Sequence, residues 1–127
     1  MSTPVGPYTP IVRAGDWLIV SGQVGVVDGK VVPGGVAAET TQALANADAL
    51  LRSEGSSLAD VRKTTVFLRH MRDYGLMNDA YVAALGDNRP ARSCVAVVEL
   101  PIVALVEIEA WAYVPSVPNR NEGSAPS

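Results

Sequence analysis

The sequence has few of the side chains on which metal centres and hydrolytic triads depend. Among its 127 residues there is one histidine, His70, and one cysteine, Cys94. A zinc site needs several such ligands at close spacing, and a triad needs a histidine beside a nucleophile. The glycines match neither the P-loop nor the dinucleotide-binding pattern. We therefore expect neither a metal ion nor an organic cofactor, and we treat His70 as a solvated side chain at a strand end.

The chain also lacks a basic field, a pair of cysteines and a long apolar run. Its 10 Lys and Arg residues are outnumbered by 13 Asp and Glu residues, which argues against nucleic acid as a partner. A single cysteine excludes an internal disulfide and fits a reducing cytoplasm. No apolar run reaches membrane-spanning length, and the N-terminus has no signal-peptide pattern. We predict a cytoplasmic protein without nucleic-acid or membrane partners.

The composition favours a single domain that associates with further copies. Hydrophobic residues make up 48% of the chain and charged residues only 18%, which leaves little charge to cover the surface. Residues 1–114 are predicted to form this domain. The tail, residues 115–127, contains Pro, Asn, Gly and Ser with almost nothing apolar, so we predict that it is disordered.

Hydrophobic periodicity predicts an α+β fold. Helical spacing of apolar residues predicts two helices, with Asp73 as the N-cap of the second. Runs of β-branched residues and turn signals predict strands before, between and after these helices. The predicted elements are strands Ile11–Ala14, Trp17–Ser21, Lys30–Val32 and Val61–Leu68 and helices Val36–Arg52 and Tyr74–Leu85. This order predicts a mixed sheet with the helices on one face and another chain against the other face.

The C-terminal stretch Arg89–Val114 contains the residues most suggestive of chemistry. Two apolar runs, Ser93–Val98 and Leu105–Val114, read as strands. The second run alternates, so Glu107 and Glu109 point to one side, and carboxylates in an apolar strand are costly unless they are paired or solvated. Arg92 opens the first run and could stand at the mouth of a pocket between these strands. The alternative is a surface arginine beside two solvated carboxylates.

Cys94 lies two residues after Arg92 and therefore faces the same side of its strand. A nearby cation could lower the pKa of the thiol and make it a nucleophile. Most buried cysteines instead pack as inert apolar groups, and we favour that role for the sulfur. The backbone of Cys94 could still line a pocket.

Several motifs together resemble the RidA family, the reactive-intermediate (enamine/imine) deaminases, also called YjgF-like proteins. The similarity spans Gly6 to Val114. The matching pieces are Gly6-Pro7-Tyr8, Ser21-Gly22-Gln23, Asn46, Val61–Leu68, Asn78 with Tyr81, Pro90-Ala91-Arg92-Ser93-Cys94-Val95 and Val106-Glu107-Ile108-Glu109-Ala110. The resemblance implies a chorismate-mutase-like fold, a homotrimer with clefts between subunits, and hydrolysis of 2-imino acids to 2-keto acids and ammonia without a cofactor.

The resemblance also implies roles for individual residues. Arg92 matches the arginine that binds the substrate carboxylate, and Glu107 matches the glutamate associated with the hydrolytic water. Tyr8, Ser21, Gly22 and Cys94 match substrate-binding positions of the cleft. A guanidinium can hold a planar carboxylate bidentately, and a carboxylate can orient or deprotonate water, so the residue types fit this chemistry.

The sequence departs from the family pattern at Thr9-Pro10, at His70 and in the short loop Gly86–Arg89. These departures bear on substrate preference more than on the fold. Two other functions stay open. The protein could be a trimer that binds small carboxylates without turnover, or it could resemble relatives with an endoribonuclease or translation-inhibiting role. The acidic balance of the chain argues against the second of these.

Overall fold

The computed structural model describes residues 6–115 of the chain. They form a five-stranded sheet, a small hairpin, two α-helices and three short 3₁₀ segments. The strands are β1 (Ile11–Ala14), β2 (Trp17–Val24), β3 (Val26–Val27), β4 (Lys30–Val31), β5 (Val61–Leu68), β6 (Ala91–Ala96) and β7 (Val106–Tyr113). The helices are α1 (Gly35–Arg52) and α2 (Tyr74–Leu85), and the 3₁₀ segments are Leu58–Asp60, Met71–Asp73 and Pro101–Val103.

The main sheet is mixed and has the order β1-β2-β7-β5-β6. Strands β5 and β6 are parallel and α2 connects them, whereas every other neighbouring pair is antiparallel. A parallel pair requires a long crossover connection, and α2 supplies it. The predicted mixed sheet is therefore confirmed, and β6 is left as an edge strand.

Both helices pack on the same face of the sheet, as predicted. Apolar side chains of α1 and α2 share one core cluster with Val66 of β5 and Ile108 of β7. A second cluster joins the C-terminal half of α1 to β2 and to the far end of β7. The residues of α1 whose helical spacing predicts the helix are all buried: Thr40, Ala43, Leu44, Ala47, Leu50 and Leu51.

The opposite face of the sheet is open to solvent in the single chain. Strand β7 alternates as predicted, because its residues at 106, 108, 110 and 112 are buried while those between them are not. Trp111 and Tyr113 are exposed on this face, and Trp17 of β2 contacts both rings edge-on. A sheet face that carries large aromatic side chains in contact with water is typical of a surface that another chain covers.

Some predicted boundaries shift, each for a local reason. Strand β2 does not end at Ser21, because Ser21 and Gly22 form a bulge after which Gln23 and Val24 pair with β7 again. Strand β6 starts at Ala91 rather than Ser93 and ends at Ala96, where the chain turns outward and leaves Val98 exposed.

Asp73 is the N-cap residue of α2, as predicted, but it does not cap the helix with its side chain. Its side chain makes no capping hydrogen bond, because the residue closes the 3₁₀ turn that leads directly into α2. The predicted disordered tail lies outside the described residues except for Pro115. Within residues 6–115, no helix is long and apolar enough to cross a membrane.

Candidate functional site

Arg92 lies on the edge strand β6, and the first turns of α2 hold its guanidinium. Its Nη1 donates to Oδ1 of Asn78 at 2.8 Å, and its Nη2 donates to the hydroxyl oxygen of Tyr74 at 3.0 Å. Nη1 also lies 4.0 Å from the sulfur of Met77, a weak acceptor. A guanidinium has more N–H donors than these contacts use, so it can still bind a carboxylate bidentately.

Two aromatic rings also contact the guanidinium of Arg92. The Cζ atom of Arg92 lies 4.8 Å from the centroid of the Tyr81 ring and 5.5 Å from that of Tyr74. Both distances are within the range of cation–π attraction. The Tyr81 hydroxyl shares a buried 2.6 Å hydrogen bond with that of Thr64, which fixes its ring against the sheet. Arg92 is thus oriented by neutral groups, so its charge remains available to an anion.

Cys94 lies on the same face of β6 as Arg92, as predicted, and packs against the core under α2. Burial raises the pKa of its thiol, and the charge of Arg92 offsets this only in part. The protonated thiol is the poorer nucleophile. The sulfur therefore serves packing, which agrees with the role that we favoured from the sequence.

Glu107 lies on the open face of the sheet, directly against the bulge of β2. A Cβ atom added at Gly22 would overlap the Glu107 carboxylate, so only glycine leaves the observed room for it. Burial raises the pKa of Glu107, and the neighbouring carboxylate of Glu109 raises it further. A glutamate with a raised pKa is a better proton acceptor when ionised, which suits a general base.

The bulge also connects Glu107 to the N-terminal segment. The Ser21 hydroxyl donates to the Thr9 carbonyl oxygen at 2.6 Å, and the Ser21 N–H donates to the Pro10 carbonyl oxygen at 2.9 Å. These bonds fasten the residues that follow Tyr8, whose side chain is exposed. The region around the β2 bulge therefore contains Tyr8, Ser21, Gly22 and Glu107. We call these four residues the glutamate half-site.

A single chain does not bring Arg92 and Glu107 together. Arg92 pairs with Thr64 of β5, whereas Glu107 pairs with Phe67 of the same strand. Because side chains alternate along a strand, positions three apart face opposite sides of the sheet. Arg92 and Cys94 lie on the helix-covered side, and we call these two with Tyr74, Asn78 and Tyr81 the arginine half-site.

Sequence reasoning gave no role to the α2 residues that hold Arg92. Asn78 and Tyr81 were matched as motif residues, and Tyr74 was only the first residue of the predicted helix. The spacing of the three at i, i+4 and i+7 was a usable signal, since it aligns them on one helix face. What the sequence could not show is that this face meets Arg92, because that contact depends on the β5–α2–β6 crossover.

A separate cleft of about 370 Å³ lies near the C-terminal end of β5. Its lining residues are Arg69, His70, Glu99, Leu100, Val103, Ala104 and Leu105. None of these belongs to either half-site. Among residues 6–115, no group of three or more His, Cys, Asp or Glu side chains is arranged to hold a metal ion.

Comparison with known proteins identifies the family. The family model described as Endoribonuclease L-PSP matches residues 1–114. A RutC family protein of Pyrococcus horikoshii is 42% identical over 112 residues, which are 87% of this chain and 89% of that protein. The mouse protein named 2-iminobutanoate/2-iminopropanoate deaminase is 41% identical over 110 residues, or 85% of this chain and 82% of that protein.

A solved structure agrees with these sequence matches. The crystal structure of the YjgF gene product of E. coli has a TM-score of 0.80 and 36% sequence identity, covering 87% of this chain and 90% of that one. The chain belongs to the Endoribonuclease L-PSP family, that is, the YjgF/RidA family that the motifs indicated. Its mixed sheet with two packed helices is the fold of the YjgF structures.

Proposed function

We propose that the protein hydrolyses reactive 2-imino acids to 2-keto acids and ammonia. The observation that carries this proposal is the guanidinium of Arg92, held by Asn78 and two tyrosine rings with donors left for a carboxylate. A relative of 41% identity that is named a 2-iminobutanoate/2-iminopropanoate deaminase supports the same chemistry. The proposed substrate is a small acid with an imine next to its carboxylate.

The proposed reaction needs little beyond orientation, because a protonated imine is already a strong electrophile. Arg92 binds the carboxylate of the substrate. Glu107 takes a proton from a water molecule whose oxygen adds to the imine carbon, giving a tetrahedral amino alcohol. Glu107 returns this proton to the nitrogen and the C–N bond breaks as ammonia leaves. The hydroxyl oxygen loses its proton to solvent and becomes the carbonyl oxygen of the 2-keto acid. The raised pKa of Glu107 suits this exchange of a proton.

We further propose that the two half-sites meet between copies in a homotrimer with a chorismate-mutase-like arrangement. Arg92 and Glu107 face opposite sides of one sheet, so a substrate can touch both only if they come from different chains. The open aromatic face of the sheet offers the surface for this association. Tyr8, Ser21 and Gly22 would then line the cleft beside Glu107, and the backbone of Cys94 would line it beside Arg92.

Imine loss in the presence of the protein tests the reaction. The imine is generated in situ from an amino acid by an oxidase or a dehydratase, and semicarbazide traps what remains. Wild-type protein should reduce the trapped amount, while Arg92→Ala should lower kcat/KM by at least about a hundredfold, since it removes the anchor of the substrate. Arg62→Ala, on the exposed side of β5, is a matched control. An active Arg92→Ala variant would contradict the proposal.

Mixed variants test whether the site is shared between chains. Arg92→Ala and Glu107→Gln are each expected to be inactive alone. After unfolding and refolding together in equal amounts, random assembly should restore about a quarter of the sites in a cyclic oligomer, because those sites combine an intact Arg92 with an intact Glu107. No recovery in a mixture that does form mixed oligomers would show that both residues serve the same site from one chain.

The two other functions predict different results. A trimer that only binds carboxylates would take up 2-oxobutanoate saturably yet leave the rate of imine loss unchanged. A ribonuclease would cleave RNA after rigorous purification and at raised salt. The family description names such an activity, but the excess of acidic residues disfavours phosphate binding.

A further inference from the structure

The side chain of Tyr74 occupies an unusual position at the arginine half-site. It is the first residue of α2, and its hydroxyl oxygen accepts a hydrogen bond from Nη2 of Arg92 at 3.0 Å. The side chain is nevertheless 41% exposed, unlike Tyr81, which is 4% exposed. Tyr81 is therefore part of the core under Arg92, whereas Tyr74 lies where both the guanidinium and the solvent can reach its hydroxyl.

The hydroxyl of Tyr74 can still donate a hydrogen bond. A tyrosine hydroxyl that accepts one bond keeps its own O–H to donate. Arg92 fixes the oxygen of Tyr74, so the O–H is confined to the neighbourhood of the guanidinium. A carboxylate that binds Nη2 would bring one of its oxygens into the same neighbourhood, and carboxylate oxygens accept several hydrogen bonds.

We propose that Tyr74 positions the Arg92 guanidinium and donates its own O–H to the carboxylate that Arg92 binds. This inference rests on the proposed function, because it assigns Tyr74 to the same substrate. It makes Tyr74 a determinant of the substrate class: the site requires an anion with at least two acceptor oxygens beside the imine.

The variant Tyr74→Phe separates the hydroxyl from the ring. It retains the cation–π contact with Arg92 and removes both hydrogen bonds of the hydroxyl. Asp79→Asn is the control, because it changes an exposed polar side chain next to Asn78 in α2 that belongs to neither half-site. The exposure of Tyr74 indicates that its phenylalanine variant will fold, and an unfolding curve checks this.

Three measurements on both variants test the inference. For imine hydrolysis, Tyr74→Phe should raise KM by about tenfold with kcat nearly unchanged, because the lost bonds hold the carboxylate and not the reacting carbon. The Kd for 2-oxobutanoate, measured by calorimetry, should rise by a similar factor. In ¹⁵N NMR spectra, the Nη2 N–H signals of Arg92 should shift in Tyr74→Phe, because Nη2 loses its acceptor while Asn78 still accepts from Nη1.

The outcomes distinguish this inference from the proposed function. If Arg92→Ala abolishes turnover while Tyr74→Phe leaves KM, Kd and the NMR signals unchanged, the role of Tyr74 is refuted and the proposed function stands. An equal loss in Asp79→Asn would also refute it. If the wild type neither hydrolyses imines nor binds 2-oxobutanoate, the proposed function and the inference fall together.

Discussion

Arg92 and Glu107 owe their positions to strand register. Each pairs with a residue of β5, and the three-residue offset between those partners puts the two side chains on opposite faces of the sheet. The sequence identified both residues and the alternation that turns Glu107 away from the core. It could not give the pairing partners, since register depends on contacts between distant strands. The separation into two half-sites was therefore beyond prediction.

The pKa of Glu107 leads to a prediction on the pH dependence of turnover. Burial and the charge of Glu109 both raise this pKa, so a base that must be ionised loses activity at a higher pH than an ordinary glutamate would. Glu109→Gln removes the second carboxylate and should lower the pKa of Glu107. The acid limb of kcat/KM, recorded as a pH profile, is expected to move to lower pH. An acid limb that stays in place would show that Glu109 does not act on the base.

Gly22 leads to a second prediction at the residue scale. A methyl group there would collide with the end of the Glu107 side chain, which can swing aside. Gly22→Ala should therefore fold with an unfolding free energy within about 1 kcal/mol of wild type, while kcat falls by about tenfold or more as the carboxylate is displaced.

Gly25→Ala is the matched comparison for Gly22→Ala. Its Cβ would lie 2.6 Å from backbone atoms of Glu39, which cannot move aside without distorting α1. This variant is expected to lose about 1–3 kcal/mol of stability in urea unfolding. If the two variants lost stability equally, the distinction between side-chain and backbone collisions would be wrong.

At the scale of elements, the sequence predicted the helices but not the contacts that join them to distant segments. The buried side of α1 was predicted from helical spacing, but that prediction did not include Glu39, and carboxylates are seldom buried. The structure buries it to 4% exposure, and its Oε1 accepts the N–H of Leu105 at 2.8 Å. This hydrogen bond joins the segment before β7 to α1. Such a contact joins residues far apart in the chain and leaves no local pattern.

Glu39 leads to a prediction on stability. Burial raises its pKa, the Leu105 hydrogen bond opposes this in part, and Asp73 adds to the rise. A carboxyl whose pKa is higher in the folded state stabilises the fold at low pH and loses this contribution as pH rises through the folded pKa. Glu39→Gln keeps an acceptor for Leu105 without a charge. Its unfolding free energy relative to wild type should increase from about pH 4 to pH 7.

Urea unfolding at several pH values and one protein concentration measures this difference. The exposed Glu54→Gln, beyond the end of α1, serves as the control for removal of a surface carboxylate. A Glu39→Gln variant whose advantage is constant with pH would mean that the buried carboxyl does not titrate differently in the folded chain.

At the scale of the whole molecule, the sheet has one covered and one open face. Val95, Trp111 and Tyr113 on the open face are 45%, 39% and 43% exposed in the single chain. The composition had already indicated a covered surface, because charged residues are few. The number of copies could not be read from it, since composition reports how much surface needs covering and not its symmetry.

Trp111→Glu is expected to break the association of chains. In the homotrimer that we propose, a carboxylate at this position would be buried in an apolar interface without a partner. Light scattering after size exclusion should show the mass of one chain, with a helical circular dichroism spectrum close to wild type and with imine hydrolysis lost. Val27→Glu, on the hairpin and 47% exposed, is the control that should keep the oligomer. Persistent oligomers of Trp111→Glu would place the interface elsewhere.

The half-buried Cys94 thiol, with its raised pKa, bears on how the protein can be labelled. It is the only cysteine in the sequence, and little of it is in the reactive anionic form near neutral pH. A cysteine introduced at an exposed position such as Val98 would be modified by maleimide much faster. A fluorophore or spin probe could then be attached at one chosen point without first replacing the native sulfur.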